Sequence, residues 1–542
     1  MKKMRVVLIL IYSEQMLQSL DDVGIGYIGA YLREQGYEVL IIGPNENKIN
    51  FKTICEFNPD IIGMPVYREA LAGIKKFCKN IKILIPSVKL CLGGVLATYY
   101  DEELISKISE IDYIVRGEGE LIMHNLLQCL ENNGDIRNVK GITYRLNGTV
   151  QKNDNESLIR DLNKMPFPSR DIIKNNKLSI AAISTTRGCY GKCTFCDSPG
   201  FWRAENSHRW RGRTIRSLVD ELEYISTNTG VVSFDIGNNS FEDPGSSYDR
   251  VLEFADEVIR RKLIISYTFA IRSVFQRKVT EHLIGRLKES GMCDVFIGVE
   301  SANEQDLKLF GKIGNVEDNI KAVEMFRNVG INTTIGFINF HPYSTFQAQR
   351  DNIKFLSDYG YAGYFIMLQK LIVDKGAAIY QRLRNDNLLF DGGIEHGYSY
   401  QYKDARIKNL VNFLDDYFIR SEQGNPLIKL LKFYERNYMQ FLSYSERQFM
   451  HYDDSKALSA VSEAKESIKE IVGEINKRNY VWYTQLLDAA ENNWNSNLAN
   501  EIVNKNMSYE FISELYNGLL SVKNGLNRKY MRLGDKYEKY IL

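Results

Sequence analysis

The sequence predicts an α/β protein made of three consecutive parts. In residues 1–140, continuous apolar runs rich in β-branched residues alternate with helical stretches, and residues 178–375 repeat a strand-and-helix unit about six times. Residues 376–542 instead carry apolar residues at three- and four-residue intervals. These patterns indicate a doubly wound parallel sheet, an open partial (β/α)6 barrel and a C-terminal all-helical domain, in that order.

Composition restricts the classes of protein that remain. Hydrophobic residues make up 44% of the chain and charged residues 25%, as in soluble globular proteins. With 69 basic and 68 acidic residues, no overall field attracts nucleic acid or an anionic membrane. Five of the eight cysteines stand alone, which is typical of a reducing compartment. We therefore expect a cytoplasmic protein with neither a nucleic-acid nor a membrane partner.

The first part has five predicted strands, at residues 4–12, 37–42, 60–66, 88–93 and 111–115. Ligands of such sheets bind outside the carboxyl ends of the strands, and four glycine-containing or polar loops follow strands here. Glycine lets backbone approach a bulky ligand, although a tight turn also needs glycine for its own sake. The candidate ligand-binding residues in these loops are Gly24, Gly26, Tyr67, Arg68, Gly93, Gly94, Thr98, Gly117, Glu118, Gly119 and Glu120. For Arg68, a solvated helix start is an equal alternative.

A connector is predicted between the first two parts, at residues 141–177. Two alternating strands flank Asn147 and Gly148, a dipeptide that favours a hairpin turn. Residues 161–170 then contain two prolines and indicate an extended linker.

In the second part, strands are predicted at residues 178–185, 231–236, 264–269, 294–299, 332–337 and 363–368. Barrel chemistry takes place at the carboxyl ends of such strands. This rule selects five polar residues: Asp235, Asn238, Asn239, Glu300 and Ser301. A structural alternative for Glu300 is an acid at a helix N-terminus. His341 lies in an unusual loop, and a structural role is the more common one for such a histidine.

Residues 187–199 gather three thiols, Cys189, Cys193 and Cys196, in a C-x3-C-x2-C spacing. Three thiolates can hold three irons of a [4Fe–4S] cluster and leave one iron open, whereas a closed cluster takes four. A structural zinc site needs four ligands, and His208, twelve residues past Cys196, is out of register. The spacing therefore favours an open iron–sulfur cluster over zinc.

This motif, including the aromatic Phe195 before the third cysteine, resembles the cluster loop of the radical S-adenosylmethionine (SAM) enzymes. The resemblance implies that SAM chelates the open iron and is cleaved reductively to a 5′-deoxyadenosyl radical. It also implies a low-potential electron donor such as flavodoxin or ferredoxin. The SAM contacts that it suggests are Phe195, Asp235, Asn238, Asn239, Glu300 and Ser301. Tyr190 departs from the motif, since many relatives have proline there.

The four loops of the first part are similar to those of the Rossmann-like cobalamin-binding domain that precedes the radical domain in one branch of these enzymes. The resemblance implies that the candidate residues of these loops contact cobalamin. The Asp-x-His-x-x-Gly motif, from which other cobalamin proteins supply a lower cobalt ligand, is missing from the sequence. Cobalt would then have no protein histidine on its lower face.

Together, these resemblances imply a cobalamin-dependent radical SAM enzyme similar to the class B methyltransferases. The expected reaction methylates an unactivated carbon or phosphorus centre of a secondary metabolite or peptide, through the 5′-deoxyadenosyl radical and methylcobalamin. Two alternatives stay open at this point. The enzyme could catalyse cyclisation or rearrangement without methyl transfer, or its first domain could bind a partner instead of cobalamin.

The third part contains no motif that indicates its substrate. Helices are predicted at residues 407–420, 427–442, 454–475, 481–491 and 509–526. Dense aromatic residues at helical spacing are more often core than ligand contacts. We expect this part to pack against the open barrel and to shape the substrate entrance.

Overall fold

The structure is a computed structural model. It describes residues 3–11, 21–43, 50–176, 178, 180–201, 210–237, 241–242, 248–420, 442–443, 445–446, 449–450, 454–506 and 509–531. Over these residues no helix is long and apolar enough to cross a membrane.

The first seven strands of the chain form one sheet. They are β1 (Arg5–Ile9), β2 (Glu38–Ile42), β3 (Ile61–Pro65), β4 (Lys89–Gly93), β5 (Tyr113–Val115), β6 (Ile142–Leu146) and β7 (Thr149–Lys152). Their order is β2-β1-β3-β4-β5-β6-β7, with the first five parallel and the last two antiparallel. The chain runs outward in both directions from the boundary between β1 and β3, which is the switch point at which such sheets bind ligands.

Helices cover both faces of this sheet. They are α1 (Val23–Glu34), α2 (Phe51–Phe57), α3 (Leu71–Leu84), α4 (Val95–Tyr99), α5 (Asp101–Lys107) and α6 (Gly119–Glu131). Apolar side chains of α1 and α6 form the core on one face, and those of α3 to α5 form the core on the other. The Asp22 side chain accepts a hydrogen bond from the Ile25 N–H and so starts α1. The predicted doubly wound sheet is confirmed.

The predicted hairpin is also present, as β6 and β7. Asn147 and Gly148 have φ angles of 50° and 80°, as a tight hairpin turn requires. Because β6 pairs with β5, the hairpin extends the first sheet and is more than a connector. The boundary at residue 140 stays a prediction. The proline-containing linker follows and leads into α7 (Asp171–Asn176).

The second sheet is parallel and has five strands in the order β14-β13-β12-β11-β8. These are β8 (Ile180–Ala182), β11 (Ser233–Ile236), β12 (Ser266–Arg272), β13 (Met292–Glu300) and β14 (Asn332–Phe337). Between β8 and β11 lies a two-stranded ribbon, β9 (Thr186–Arg187) paired with β10 (Arg211–Gly212). The helices of this region are α8 (Ser198–Phe201), α9 (Ile215–Thr229), α10 (Asp249–Arg260), α11 (Glu281–Ser290), α12 (Glu304–Leu309), α13 (Val316–Asn328) and α14 (Phe346–Asp358).

The sixth strand predicted at residues 363–368 is wrong. Residues 364–367 form a short helix, α15 (Tyr364–Met367). A single parallel bridge between Phe340 and Lys370 marks the sixth strand position instead. A short apolar run fits a buried strand and a buried helix equally well, which explains the error.

The C-terminal part has two regions that pack on different domains. Residues 376–400 form α16 (Ala378–Asn385), β15 (Leu389–Asp391), α17 (Gly393–His396) and β16 (Tyr398–Tyr400), and they share a core with α3 to α5. From residue 405 onward, the core is shared with the second sheet. This second region contains α18 (Ala405–Asp415), a π-helical turn (Asp416–Arg420), α19 (Ser455–Asn492), α20 (Ser496–Asn506) and α21 (Tyr509–Met531).

The C-terminal part differs from the all-helical prediction in two places. β15 and β16 form an antiparallel pair of strands, and the helices predicted at 454–475 and 481–491 are one continuous helix, α19. The helix predicted at 427–442 lies almost entirely outside the described residues. Tyr483 of α19 donates a hydrogen bond to Gln349 of α14, at 2.6 Å, so this part packs against the barrel as expected.

Candidate active site

One cavity of about 1390 Å³ lies between the two sheets. Its walls come from the carboxyl-end loops of β3, β4 and β5 on one side and from inward-facing residues of β11 to β14 on the other. Parallel sheets and partial barrels both place ligands at these positions, so the two domains share one binding space.

Most of the residues predicted to bind cobalamin line this cavity. They are Gly24, Tyr67, Arg68, Gly93, Gly94, Gly117, Glu118, Gly119 and Glu120. Gly94 and Gly117 have φ angles of 95° and 87°, which glycine adopts without strain. A Cβ added to Gly117 would meet no atom within 4 Å, and one added to Gly94 would come no closer than 3.8 Å to another atom. The loops thus form an open surface that a large flat ligand can approach.

Gly26 and Thr98 are not among the lining residues. Gly26 packs against the linker and accepts a hydrogen bond from the Ser169 N–H, at 3.0 Å. The Thr98 hydroxyl donates to the Gly94 carbonyl at 2.9 Å and accepts from the Gly117 N–H at 3.0 Å. Thr98 therefore holds two of the glycine loops together.

Tyr67 is paired with a carboxylate at the cavity wall. Its hydroxyl donates to Asp22 Oδ2 at 2.9 Å, while Asp22 also caps α1. Burial raises the pKa of Asp22, and burial together with the nearby Asp22 raises the pKa of Tyr67. The Tyr67 phenol consequently stays protonated near neutral pH.

Arg68 lines the cavity, but its guanidinium is held by the end of the second part and by the C-terminal part. Nη2 lies 2.8 Å from Asp374, and Nη1 donates to the Ile394 carbonyl at 2.5 Å. Arg68 is therefore not the solvated helix start of the alternative interpretation. Among the described residues that line the cavity there is no histidine.

The three cysteines lie in a turn that follows β9. Cys189 Sγ and Cys193 Sγ would be 3.3 and 3.6 Å from a Cβ placed on Gly191, so both sulfurs face the same small space. Thr194 anchors the turn by donating to the carbonyls of Leu309 and Phe310. Within the described part of the chain, no three potential ligands converge on a single metal ion. A cluster does not require such convergence, because each thiolate binds a different iron.

The cysteine turn is partly buried. Burial raises the pKa of Cys196 to about 12 and also raises that of Cys193, where the nearby Lys312 partly offsets it. Phe195 packs edge-on against Phe310, with 5.6 Å between the ring centroids. Neither Phe195 nor the cysteines are among the cavity-lining residues, although Arg187 and Asp197 are.

Four polar side chains line the barrel end of the cavity: Asp235, Thr268, Asp294 and Thr334. Only Asp235 was predicted from the sequence. Asp294 accepts hydrogen bonds from Asn332, at 2.5 Å, and from Thr268, at 3.3 Å, and burial raises its pKa to about 6. The signal available in the sequence was an acidic residue inside an otherwise apolar strand. Asn238 and Asn239 lie outside the described residues.

Glu300 ends β13 in a left-handed conformation, with φ of 69°. This conformation is costly for a residue with a side chain and is concentrated at functional sites. Its carboxylate lies 3.6 Å from Lys312 Nζ, which also donates to the Gly298 carbonyl at 2.9 Å. Lys312, which stands near both Glu300 and Cys193, was missed by the sequence reasoning.

Ser301 and His341 are both fully buried and bonded within the protein. The Ser301 hydroxyl lies 3.1 Å from Asp306 and 3.0 Å from Asn352. His341 Nε2 lies 3.0 Å from the other oxygen of Asp306. Neither Glu300 nor Ser301 is among the residues lining the cavity.

Ile372 is a further residue that sequence reasoning missed. It lines the cavity and is 74% exposed. It follows the sixth strand position of the barrel, where Asp374 also lines the cavity. Because the sixth strand was predicted at residues 363–368, the residues after Lys370 were not expected at a strand end.

Two family models match the chain in these regions. The B12 binding domain matches residues 11–127, and the radical SAM superfamily matches residues 183–356. The first match favours cobalamin over a docking partner as the ligand of the N-terminal loops.

Two known proteins are similar to large parts of this chain. An uncharacterized methyltransferase of Pyrococcus horikoshii is 27% identical over 383 residues, which are 68% of this chain and 81% of that protein. An anaerobic magnesium-protoporphyrin IX monomethyl ester cyclase of Rubrivivax gelatinosus is 27% identical over 330 residues, 58% of each chain.

The fold is similar to that of OxsB, a cobalamin-dependent SAM radical enzyme solved with aqua-cobalamin and SAM bound. The TM-score is 0.65 with 22% sequence identity, over 98% of this chain and 84% of OxsB. At this identity, the likeness concerns the fold.

Proposed function

We propose, from the premise that this chain is a radical SAM enzyme with an N-terminal B12 binding domain, that it methylates an unactivated carbon or phosphorus centre. The substrate class that we propose is a secondary metabolite or a peptide. The observation that carries the proposal is the cavity, which is lined by both domains and bordered by the residues next to the cysteine turn. A shared cavity allows a methyl donor and a radical to act on one substrate without release.

The donor sets fit the three cofactors. Cys189, Cys193 and Cys196 would hold a [4Fe–4S] cluster with one open iron, and the loops of Gly94 and Gly117 leave room for a corrin. When bound, the cluster with SAM supplies a 5′-deoxyadenosyl radical, and cobalamin supplies the methyl group.

Residues of the chain itself position the reactants. Asp235 and Glu300 are the SAM contacts that we retain, since both stand at barrel strand ends. Ser301 and Phe195 support their loops from behind, because both are bonded or packed inside the protein. Thr268, Asp294 and Thr334 offer hydrogen-bonding groups to a polar part of the substrate.

The reaction also needs an electron donor. We propose a low-potential flavodoxin or ferredoxin, which would reduce the cluster in a cytoplasmic setting. The single cysteines of the chain are compatible with such a reducing compartment.

A second candidate is cyclisation or rearrangement without methyl transfer. The similarity to a cyclase over 58% of this chain supports this second candidate. The two reactions differ in where the methyl group of SAM goes, so a labelled methyl group separates them.

The test is anaerobic reconstitution with iron, sulfide, hydroxocobalamin, SAM and a low-potential reductant, followed by mass spectrometry of candidate substrates. Methylation yields a product one methyl group heavier that carries the label of methyl-deuterated SAM. Deoxyadenosine together with an unlabelled, altered product would indicate rearrangement and would refute the methyltransferase proposal.

A matched pair of cysteine variants tests the cluster. Cys193→Ala is expected to abolish deoxyadenosine formation, because it removes one of three iron ligands. Cys55→Ala, which changes a cysteine of α2 in the other domain, is expected to leave it unchanged. Continued deoxyadenosine formation by Cys193→Ala would show that the cluster assignment is wrong.

A further inference from the structure

The two ends of the segment that carries the three cysteines are paired with each other. Arg187 of β9 and Arg211 of β10 are directly paired in the antiparallel ribbon, and residues 188–210 lie between them. A contact that holds this ribbon in place therefore also holds both ends of the segment that contains the cysteine turn.

Both arginines of the ribbon bind one carboxylate of the other domain. Arg187 Nη1 lies 2.8 Å from Glu118 Oε1, and Arg211 Nη1 lies 2.9 Å from Glu118 Oε2. Arg187 also pairs with Glu120. The Glu118 side chain is only 4% exposed, so water does not replace these contacts.

Glu118 belongs to the loop between β5 and α6 that lines the cavity. It stands between Gly117 and Gly119, and its other bond is to the Ile159 N–H, at 2.6 Å. Burial opposes ionisation of Glu118, but Arg187 and Arg211 outweigh it and hold the pKa of this carboxyl below its usual value. The carboxylate is therefore charged near neutral pH, and the two arginines balance the charges of Glu118 and Glu120 in a buried site.

We infer that Glu118 couples the cobalamin loop to the cysteine turn, so that cluster assembly tightens cobalamin binding. A cluster fixes three cysteines just beyond β9, and the ribbon then fixes Glu118 together with the glycine peptides beside it. The coupling is reciprocal, so bound cobalamin must stabilise the cluster to the same extent. This inference rests on the proposed function, since it requires that both cofactors bind.

Glu118, Arg187 and Arg211 are thus positioning residues. The contact differs from a surface ion pair, which breaks and re-forms in water at little cost. A buried carboxylate shared by two guanidinium groups has few alternative arrangements, so a shift of the ribbon is transmitted to the loop.

The experiment measures the Kd of hydroxocobalamin anaerobically by equilibrium dialysis, for the full chain without cluster and after cluster reconstitution. In the unmodified protein we expect the cluster to lower this Kd by about 5- to 150-fold, the usual range of coupling between two sites. Equal Kd values in the two forms would overturn the inference without the use of any variant.

Glu118→Gln tests the residue itself. It keeps the size of the side chain and removes its charge, so the Kd of hydroxocobalamin should become the same with and without cluster. Glu38→Gln is the control, because Glu38 also forms an ion pair, with Arg5, but is 65% exposed and lies in β2 at the edge of the first sheet. A Glu118→Gln protein that retains the full dependence on the cluster would exclude Glu118 as the coupling residue.

The reverse direction gives a second readout. Hydroxocobalamin should slow the release of cluster iron to a chelator, followed by absorbance, in the unmodified protein and in Glu38→Gln. In Glu118→Gln, it should have no effect on this rate. If no form of the chain binds hydroxocobalamin, the proposed function fails; if binding is normal but independent of the cluster, only the coupling fails.

Discussion

Two glycines of the first domain have similar positive φ angles in different surroundings. Gly117 has φ of 87° beside the cavity, and Gly148 has φ of 80° in the β6–β7 turn. A Cβ on either would meet no atom within 4 Å, so alanine at either position introduces backbone strain of about 1 kcal/mol and no clash.

Gly117→Ala and Gly148→Ala should therefore lower the thermal midpoint by similar amounts. Only Gly117→Ala should weaken hydroxocobalamin binding, by about tenfold, because its methyl group enters the space that we assign to the corrin. Equilibrium dialysis of the two variants checks this. Equal cobalamin affinities would place the corrin elsewhere in the cavity.

Asp294 at the barrel end of the cavity predicts a pH dependence of stability. Burial raises its folded-state pKa to about 6 from the usual 3.8, so the folded state binds the proton more tightly than the unfolded state does. The resulting stabilisation is complete below pH 3.8 and is lost as the pH rises through about 6. The total effect is roughly 3 kcal/mol, since one pKa unit corresponds to 1.36 kcal/mol.

The Asp294→Asn variant lacks this titration. Relative to it, the unmodified protein should lose about 1 to 2 kcal/mol of stability between pH 5 and pH 8. Thermal midpoints of both proteins are measured across this range. The contributions of the other titrating groups cancel in the difference between the two proteins. A constant difference would mean that Asp294 is already ionised in the folded protein across this whole range.

Individual elements differ in how far the sequence determined them. The strand at Arg5–Ile9 was predictable because a β-branched apolar run suits a strand buried on both faces. The run at residues 363–368 was not, because its apolar residues satisfy both periods and tertiary packing made it helical. The helix Ser455–Asn492 was predicted as two segments, since polar residues at its middle interrupted the apolar pattern.

The candidate site likewise contains parts that the sequence predicted and parts that it did not. The glycine loops followed from the rule that ligands bind at strand ends, and the cysteine turn followed from its spacing. The pairing of Glu118 with Arg187 could not be predicted, because it joins residues 69 positions apart through the docking of two domains. Lys312 was missed because its contacts with Glu300 and Gly298 depend on packing within the second domain. Ile372 was missed because the sixth strand was predicted at residues 363–368, which are helical at 364–367.

The linker between the domains is fixed by a buried arginine. Arg170 Nη1 lies 2.6 Å from Asp21 of the first domain, and Nη2 lies 2.5 Å from Glu221 of α9 in the second. It also donates to the Ala182 carbonyl of β8, at 2.8 Å. Since the side chains of all three charged residues are at most 3% exposed, this contact joins the domains in a dry environment.

Arg170→Met should reduce the free energy of unfolding by about 3 kcal/mol, because it leaves two buried carboxylates without their shared cation. Arg137→Met, which removes a cation paired with Asp135 at the surface, should cause little change. Urea unfolding of both variants measures the difference. Equal losses would show that the carboxylates find other partners.

At the scale of the whole molecule, buried contacts in separate places join the first domain to the rest of the chain. They include the Arg170 pairs, the Glu118 pairs and the packing of residues 376–400 on α3 to α5. The cavity lies among these contacts and is lined by both domains. A domain held in this way cannot unfold without exposing buried charges and apolar surface of its neighbour.

We therefore expect the two α/β domains to unfold in one calorimetric transition. Hydroxocobalamin at 100 times its Kd should stabilise that entire transition by about 2.7 kcal/mol, as mass action requires for a ligand of the folded state. In Arg170→Met the transition should broaden or split, and cobalamin should then shift mainly the part that belongs to the first domain. Two transitions in the unmodified protein, only one of them sensitive to cobalamin, would show that these contacts do not make the domains a single cooperative unit.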